Sequence, residues 1–308
     1  MKDKLVTVVI PTYNRAYILE RTIPSYIQEN VGEVIIIDDA STDNTTAIIQ
    51  KLIKKYPIIR YYRQKENTKQ PAAQNTALKK VKYPYVYFGD DDSFVLPNTI
   101  RYLLETMKDK QANIVGAMPL YADSECDFSD INKFIERKAP MLKDIKKKIN
   151  LYHLEKINFF WRYSEAIEVP FTHACALVEK KYTDKILFDT NFKGNAYREE
   201  TDFFLSCAQA GAKIYFDSRA VQINYPFSSI KRIRTFKSMF RHGYYDILNT
   251  IKLINKHYWW FVKKYNYKYS KNRMIIYYII NDCVKYIKIF PGRIYGIIKR
   301  YLNNANIY

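Results

Sequence analysis

Glycine and proline are scarce in this chain of 308 residues, at 8 and 11. That excludes a collagen-like or Gly/Pro-rich low-complexity chain. Cysteine is scarcer still. Cys126, Cys175, Cys207 and Cys283 stand far apart with no C-x-x-C pair, which argues against a disulfide framework and a Cys-based zinc site. Long hydrophobic runs are missing, since none reaches the ~18 to 20 apolar residues of a membrane span. The nearest, residues 274–280, is stopped by Asn281 and Asp282. Residues 5–11 are too short for a signal h-region, so a reducing, cytoplasmic location is the expectation. Acidic residues are scarce in one place only. Residues 228–308 hold 17 Lys/Arg against 2 Asp/Glu, while residues 1–227 hold 33 against 29. The hydrophobic fraction of 48% supports a sizeable core and excludes a disordered chain.

The first part of the chain alternates. Strands are expected at 6–10, 34–37, 58–62, 85–88 and 113–117, with helices at 16–28, 45–56, 72–81 and 98–107. Such alternation predicts a parallel sheet covered on both faces. Ligands in these sheets bind beyond the carboxyl ends of the strands. The rule selects Pro11-Thr12-Tyr13-Asn14-Arg15, Asp38-Asp39 and Asp90-Asp91-Asp92.

Each acidic group has a structural explanation and a chemical one. One of Ser41, Thr42 and Asp43 suits the cap of the helix starting near Thr45, but capping does not account for the Asp38-Asp39 pair. An aspartate at a strand end accepts hydrogen bonds from a nucleobase or a ribose hydroxyl, which is the reading preferred for Asp39. Three adjacent carboxylates at 90–92 repel one another by on the order of 1 kcal/mol per pair even in water-like screening. A hard divalent cation shared with substrate phosphates relieves that cost; an acidic turn before the helix after Pro97 is the alternative. The third group, Arg198-Glu199-Glu200-Thr201-Asp202, precedes a helical run at 203–210. It either caps that helix or supplies a general base, which the helix dipole and Arg198 would hold ionised.

Together these segments resemble family 2 glycosyltransferases. The resemblance runs from Leu5-Val6-Thr7-Val8-Val9-Ile10-Pro11-Thr12-Tyr13-Asn14-Arg15 through Ile37 to Asp43, then Asp90-Asp91-Asp92 with Pro97, then Glu199-Glu200-Thr201-Asp202. It covers residues 5–216 and implies an α/β GT-A fold, a mixed sheet flanked by helices. It also implies a nucleotide-diphospho-sugar donor carrying UDP or GDP, a Mn²⁺ or Mg²⁺ ion, and an inverting single displacement. On this resemblance Pro11, Thr12, Tyr13, Arg15, Asp39, Lys69, Asn75, Asp90 and Asp91 would bind the nucleotide sugar. Asp92 and Asp90 would hold the metal, with His242 completing its shell. Glu200 would be the base, with Asp202 and Glu199 as the neighbouring candidates. Two departures stand out. Glu199-Glu200 replaces the usual Glu-Asp pair, and Gln74 stands where an arginine is common, with Lys69 as the nearby positive charge. A processive synthase would carry Q-x-x-R-W and membrane helices; neither is present, so transfer of a single sugar is expected.

The expected organisation is a catalytic domain over 1–227, with a nucleotide half at 1–118 and an acceptor half at 119–227. A basic, aromatic helical region follows at 228–308. His173 lies on the acceptor side or in the core. Ile233, Phe236, Phe240, Tyr244, Ile247 and Ile251 recur at helical spacing, and Tyr258-Trp259-Trp260-Phe261-Val262-Lys263-Lys264 mixes rings with positive charge. That mixture suits an anionic membrane surface and a glycan or lipid-linked acceptor, which sets the expected location at the inner face of a membrane. The bland alternative is a helical subdomain with solvated lysines. Nucleic acid is set aside for want of any RNP, KH, zinc-finger or helix-turn-helix signature. Two further functions remain open: a non-catalytic nucleotide-sugar-binding scaffold and a polyprenyl-phosphate sugar synthase.

Overall fold

The computed structural model describes residues 3–142, 149–150, 156–157, 159–226, 236–266 and 268–280. The strands are β1 Val6–Thr12, β2 Val31–Asp38, β3 Ile59–Arg63, β4 Tyr85–Phe88, β5 Ser93–Val95, β6 Ile114–Tyr121, β7 Ile149–Asn150, β8 Lys156–Ile157, β9 Ile167–Glu168, β10 Ala176–Glu179 and β11 Ile214–Asn224. The helices are α1 Leu19–Thr22, α2 Thr45–Lys55, α3 Gln70–Leu78, α4 Thr99–Asp109, α5 Ile131–Lys138, α6 Lys180–Thr183, α7 Glu199–Gln209 and α8 Phe236–Tyr265.

A nine-stranded sheet runs β3-β2-β1-β4-β10-β6-β11-β5, with β9 pairing on β11. The four strands β3, β2, β1 and β4 are parallel. Their residues explain this. Val8, Val9 and Ile10 and the run Val34 to Ile37 have no exposed surface, so both faces are apolar and both need a cover. The continuation departs from an all-parallel sheet: β10 lies antiparallel between β4 and β6, so the strand at 114–121 is not β4's neighbour. α4 buries Ile100, Leu103 and Met107, the spacing of one helical face. The helix expected at 16–28 is instead α1 followed by a 3-10 turn, Ile23–Tyr26, with Pro24 at its start; proline has no N–H to continue an α-helix.

The chain divides into two compact units, Met1–Asn191 with Glu199–Ile233, and Phe192–Arg198 with Arg234–Tyr308. Within the second unit Asn249 clamps a backbone turn, accepting from Lys193 N at 3.1 Å and donating to Lys193 O at 2.9 Å. The buried face of α8 carries Leu253, Ile254, His257, Tyr258 and Phe261. The stripe expected from the sequence is therefore shifted around the helix: Tyr244 is 61% exposed. Ile233 and the side chains of Phe236 and Phe240 lie outside the described residues. So do Cys283 and the side chains of residues 143–158. Among the described residues no helix is long and apolar enough to cross a membrane.

Candidate active site

The first unit holds a cavity of about 380 Å³ at the carboxyl ends of β1, β2 and β4, lined by Pro11, Thr12, Tyr13, Arg15, Asp39 and Asp90 to Asp92, with Asn14, Gln70 and Ala73 completing the wall. Eight of the sequence-predicted residues thus meet in one place. Two tight turns make the opening. Asn14 and Ala40 adopt φ of 55° and 64°, a conformation costly for a residue with a Cβ. Asn14 N donates to Ser41 Oγ, and Thr42 N donates to Asn14 Oδ1 at 2.7 Å. These bonds tie the ends of β1 and β2 together. Asp43 caps α2, accepting from Thr45 N at 3.0 Å. Burial opposes its ionisation, but hydrogen bonds from Thr45 and Ala16 hold its carboxyl below the usual range.

Asp39 is almost fully buried. Its Oδ1 accepts from Gln64 Nε2, Thr68 N and Thr68 Oγ1, and its Oδ2 accepts from Lys69 N at 2.8 Å. A carboxylate has about four acceptor sites, and Oδ2 here carries one of its two. Lys69 takes part through its backbone; it adopts φ 73° at the start of α3, and its side chain is exposed. Asn75 lies off the cavity. Its amide accepts from Phe188 N and donates to Phe188 O, both at 2.9 Å. Phe188 then stacks on Phe203 of α7 with centroids 4.3 Å apart. In these contacts Asn75 anchors the segment that packs on the helix carrying Glu200.

The acidic turn after β4 is built differently. Arg15 Nε donates to Asp91 Oδ1 at 3.2 Å and its NH2 to Asp92 Oδ2 at 3.3 Å. Beneath the turn lies a polar network that sequence reading missed. Tyr26 hydroxyl accepts from Asp90 N, donates toward Asp90 O and meets Ser93 Oγ at 2.8 Å. Gln222 Nε2 donates to Asp90 Oδ2 at 2.9 Å while its Oε1 accepts from Tyr87. Gly89 makes room, because a Cβ there would lie 2.8 Å from the Tyr26 ring. The only sequence signal was a glutamine and two tyrosines at buried positions of otherwise apolar elements.

Electrostatics join this turn to α7. Burial, then Asp92, Glu200 and Asp91, push the Asp90 carboxyl well above the usual carboxylate range. Burial and Asp92 push Asp91 up to about 6, against the opposing pull of Arg15. Burial raises Glu200 to about 7, with a bond from the Ala174 backbone acting the other way. The sequence leads to the expectation of a base held ionised by the helix start and Arg198; burial acts in the opposite direction. Glu199 is raised by burial, Glu200 and Asp90, and its buried Oε2 has no hydrogen-bond partner. Asp202, two residues on and ~200° around the helix, is fully buried. His173 packs edge-on against Phe159 at 4.8 Å, on the side of the sheet beyond β10. His242 lies half-buried on α8 in the second unit.

The donor set of Asp90 to Asp92 is hard oxygen carrying more negative charge than its neighbours offset, which fits a Mg²⁺ or Mn²⁺ ion. Among the described residues no three His, Cys, Asp or Glu side chains converge on one point. An ion here would complete its shell with phosphate oxygens and water.

Comparison with known proteins identifies the family and the fold. The chain is 33% identical over 118 residues to the poly(ribitol-phosphate) β-N-acetylglucosaminyltransferase TarP of Staphylococcus aureus, 36% of each chain. It is 29% identical over 114 residues to a β-1,3-glucosyltransferase of Campylobacter jejuni acting on GalNAc(5)-diNAcBac-PP-undecaprenol, covering 36% of this chain and 37% of the relative. These matches span little more than a third of those relatives' length. Among solved structures, the mannosyltransferase PcManGT of Pyrobaculum calidifontis, in complex with GDP-Man and Mn²⁺, superposes with a TM-score of 0.55 at 15% identity, covering 92% of this chain and 69% of that one. The shared architecture is the GT-A fold. The pattern of glycosyl transferase family 2 matches residues 7–186, more than half of the chain, and the chain belongs to that family.

Proposed function

We propose that this protein transfers one sugar from a nucleotide-diphospho-sugar to an acceptor hydroxyl with inversion. The observation that carries the reading is one pocket at the strand ends that holds Asp39, with an acceptor position open on Oδ2, together with the acidic turn Asp90 to Asp92. Residues 1–118 supply the nucleotide half and residues 119–227 the acceptor half. The nucleoside of a UDP- or GDP-sugar lies along Pro11, Thr12 and Tyr13, and Asp39 Oδ2 accepts a base N–H. Arg15 keeps Asp91 and Asp92 in place beside the diphosphate.

Glu200 takes the acceptor hydroxyl proton. The acceptor oxygen forms a bond to the anomeric carbon as the carbon–oxygen bond to the diphosphate breaks on the opposite face. The nucleoside diphosphate leaves with that electron pair. A carboxyl raised to about 7 is matched to proton abstraction near neutral pH. Glu199, buried beside it, and Asp202 on the far side of α7 are the neighbouring carboxylates; the half-buried setting of Glu200 favours it over both. Asp92 and Asp90 would hold a divalent cation. When bound, that ion offsets the negative charge of the departing diphosphate.

The acceptor is a glycan or a lipid-linked saccharide. Exposed Tyr244, Leu248 and Trp259 share a face of α8 with Arg241, Lys252 and Lys263 at helical spacing, which supports a peripheral seat on an anionic membrane. The test is release of nucleoside diphosphate from a panel of UDP- and GDP-sugars. Release by the wild type, lost in Glu200→Gln with donor binding kept, is the expected result. Release at the wild-type rate in Glu200→Gln would place the base elsewhere. No release from any donor would leave the scaffold reading.

A further inference from the structure

The strand β6 is buried along its length until its last residue: Tyr121 is 52% exposed. Its neighbour in space is Phe160, 39% exposed, with ring centroids 6.2 Å apart and planes tilted by 51°. Two exposed rings side by side are unusual on a surface unless they meet a ligand or a partner. Phe160 is also backed by further rings. His173 packs against Phe160 at 6.2 Å and against Phe159 at 4.8 Å, and Phe159 is buried against Phe216 at 5.1 Å. A preorganised surface of this kind loses little conformational freedom on binding.

Its position relates it to the acidic turn. Tyr121 pairs with Asn224 in the parallel β6–β11 ladder. The next residue, Tyr225, donates its N–H to the Asp92 carbonyl at 2.9 Å. One residue step and two strand spacings, about 10 Å, therefore separate the Tyr121 backbone from the acidic turn. Tyr121 also lies within electrostatic reach of Asp90, Glu200 and Asp92. A molecule seated on Tyr121 would present its hydroxyls close to the carboxylate that removes a proton.

We infer that Tyr121 and Phe160 form the acceptor subsite, and that the group they hold is a pyranose ring whose C–H face stacks on them. The inference rests on the sugar-transfer reading and narrows it. A pyranose has a flat face of axial C–H groups, polarised toward the negative face of an aromatic ring. An open-chain alditol phosphate or a simple polyprenyl phosphate presents no such face.

The test uses the full chain and whichever of UDP-glucose, UDP-N-acetylglucosamine and GDP-mannose it cleaves. The acceptor probes are the methyl β-glycosides of glucose, galactose and N-acetylglucosamine, with ribitol phosphate and glycerol phosphate as open-chain probes. Transfer to at least one methyl glycoside is expected. Tyr121→Ala and Phe160→Ala should each raise the acceptor KM about tenfold, with the loss falling on acceptor KM and not on donor KM. Tyr121→Phe, which keeps the ring, should restore the wild-type acceptor KM. Transfer only to open-chain probes, no transfer to any ring sugar, or an unchanged acceptor KM in both alanine variants would overturn the inference. A wild type that cleaves no donor would instead overturn the transfer reading beneath it, and the two failures are told apart by donor cleavage alone.

Discussion

Two acidic corners sit at the strand ends of one sheet, and they are built to opposite electrostatic designs. At the end of β2, every described oxygen of Asp38 and Asp39 is met. Asp38 accepts from Ser41 N at 2.7 Å and Tyr61 hydroxyl at 2.6 Å, and Asp39 accepts from Gln64, Thr68 and Lys69. At the end of β4, the carboxylates of 90–92 and those of 199–200 influence one another electrostatically and have fewer partners. Gln222 serves Asp90, Arg15 serves Asp91 and Asp92, and Glu199 Oε2 has none. The first corner is a rigid shape with one acceptor position left for a ligand. The second has fewer partners, and burial together with the neighbouring carboxylates pushes Asp90 and Asp91 upward.

The contrast can be broken in several places. The largest effect is expected at Glu200→Gln. It should lower kcat by roughly 10³-fold, within the range of general-base catalysis, while donor Kd measured by calorimetry stays within about threefold. Asp92→Ala should lower kcat by about 10²-fold and remove the response to added Mn²⁺. An Mn²⁺ titration of turnover checks it, and a wild-type titration curve would count against the assignment. At the satisfied corner, Asp39→Asn places a donor where Thr68 N and Lys69 N also donate. It should raise donor KM about tenfold with little change in kcat, because it damages binding and not chemistry. Tyr26→Phe strips a hydroxyl from the network under Asp90 and should cost about 1–3 kcal/mol of stability by urea unfolding, the cost of leaving a buried polar group unmet.

The smallest effect is a pH dependence. Asp91 and Glu200 bind protons more tightly in the folded state, rising from 3.8 to about 6 and from 4.5 to about 7. The folded protein therefore holds more protons than the unfolded chain. The stability they contribute is full below the unfolded values and lost as pH rises through 6 and 7. The melting temperature of the ligand-free protein should fall by roughly a few degrees between pH 5 and 8. Glu200→Gln should flatten part of that fall, and Asp39→Asn should leave it intact.

Much of this was legible in the sequence because it rests on local rules. The β-branched runs at 6–10 and 34–37 announced buried parallel strands, and carboxylates directly after strands announced the ligand end of the sheet. Asp39 and Asp90 are singled out that way, whereas Glu200 is singled out from an acidic group before a helix and from the family resemblance. What escaped depends on contacts far apart in sequence. Nothing near Asn75 shows that its amide closes on Phe188, 113 residues away, or that Gln222 lies under Asp90, 132 residues away. The antiparallel insertion of β10 is likewise a matter of topology, since its four residues read as a strand without stating a direction. Glu200 was expected to stay ionised because helix starts favour anions. Burial, invisible in a one-dimensional reading, pushes the other way.

The most direct test of the account is a thermal-shift titration of UDP and GDP, with and without Mn²⁺, on wild type and Asp92→Ala. The account predicts that one nucleotide raises the wild-type melting temperature more with Mn²⁺ than without it. The stabilisation should grow as RT ln(1 + [L]/Kd), and the Mn²⁺ contribution should vanish in Asp92→Ala. No shift with either nucleotide on folded wild-type protein, or an equal Mn²⁺ effect in the variant, would contradict the claim that the acidic corner holds its charge for a cation and a diphosphate.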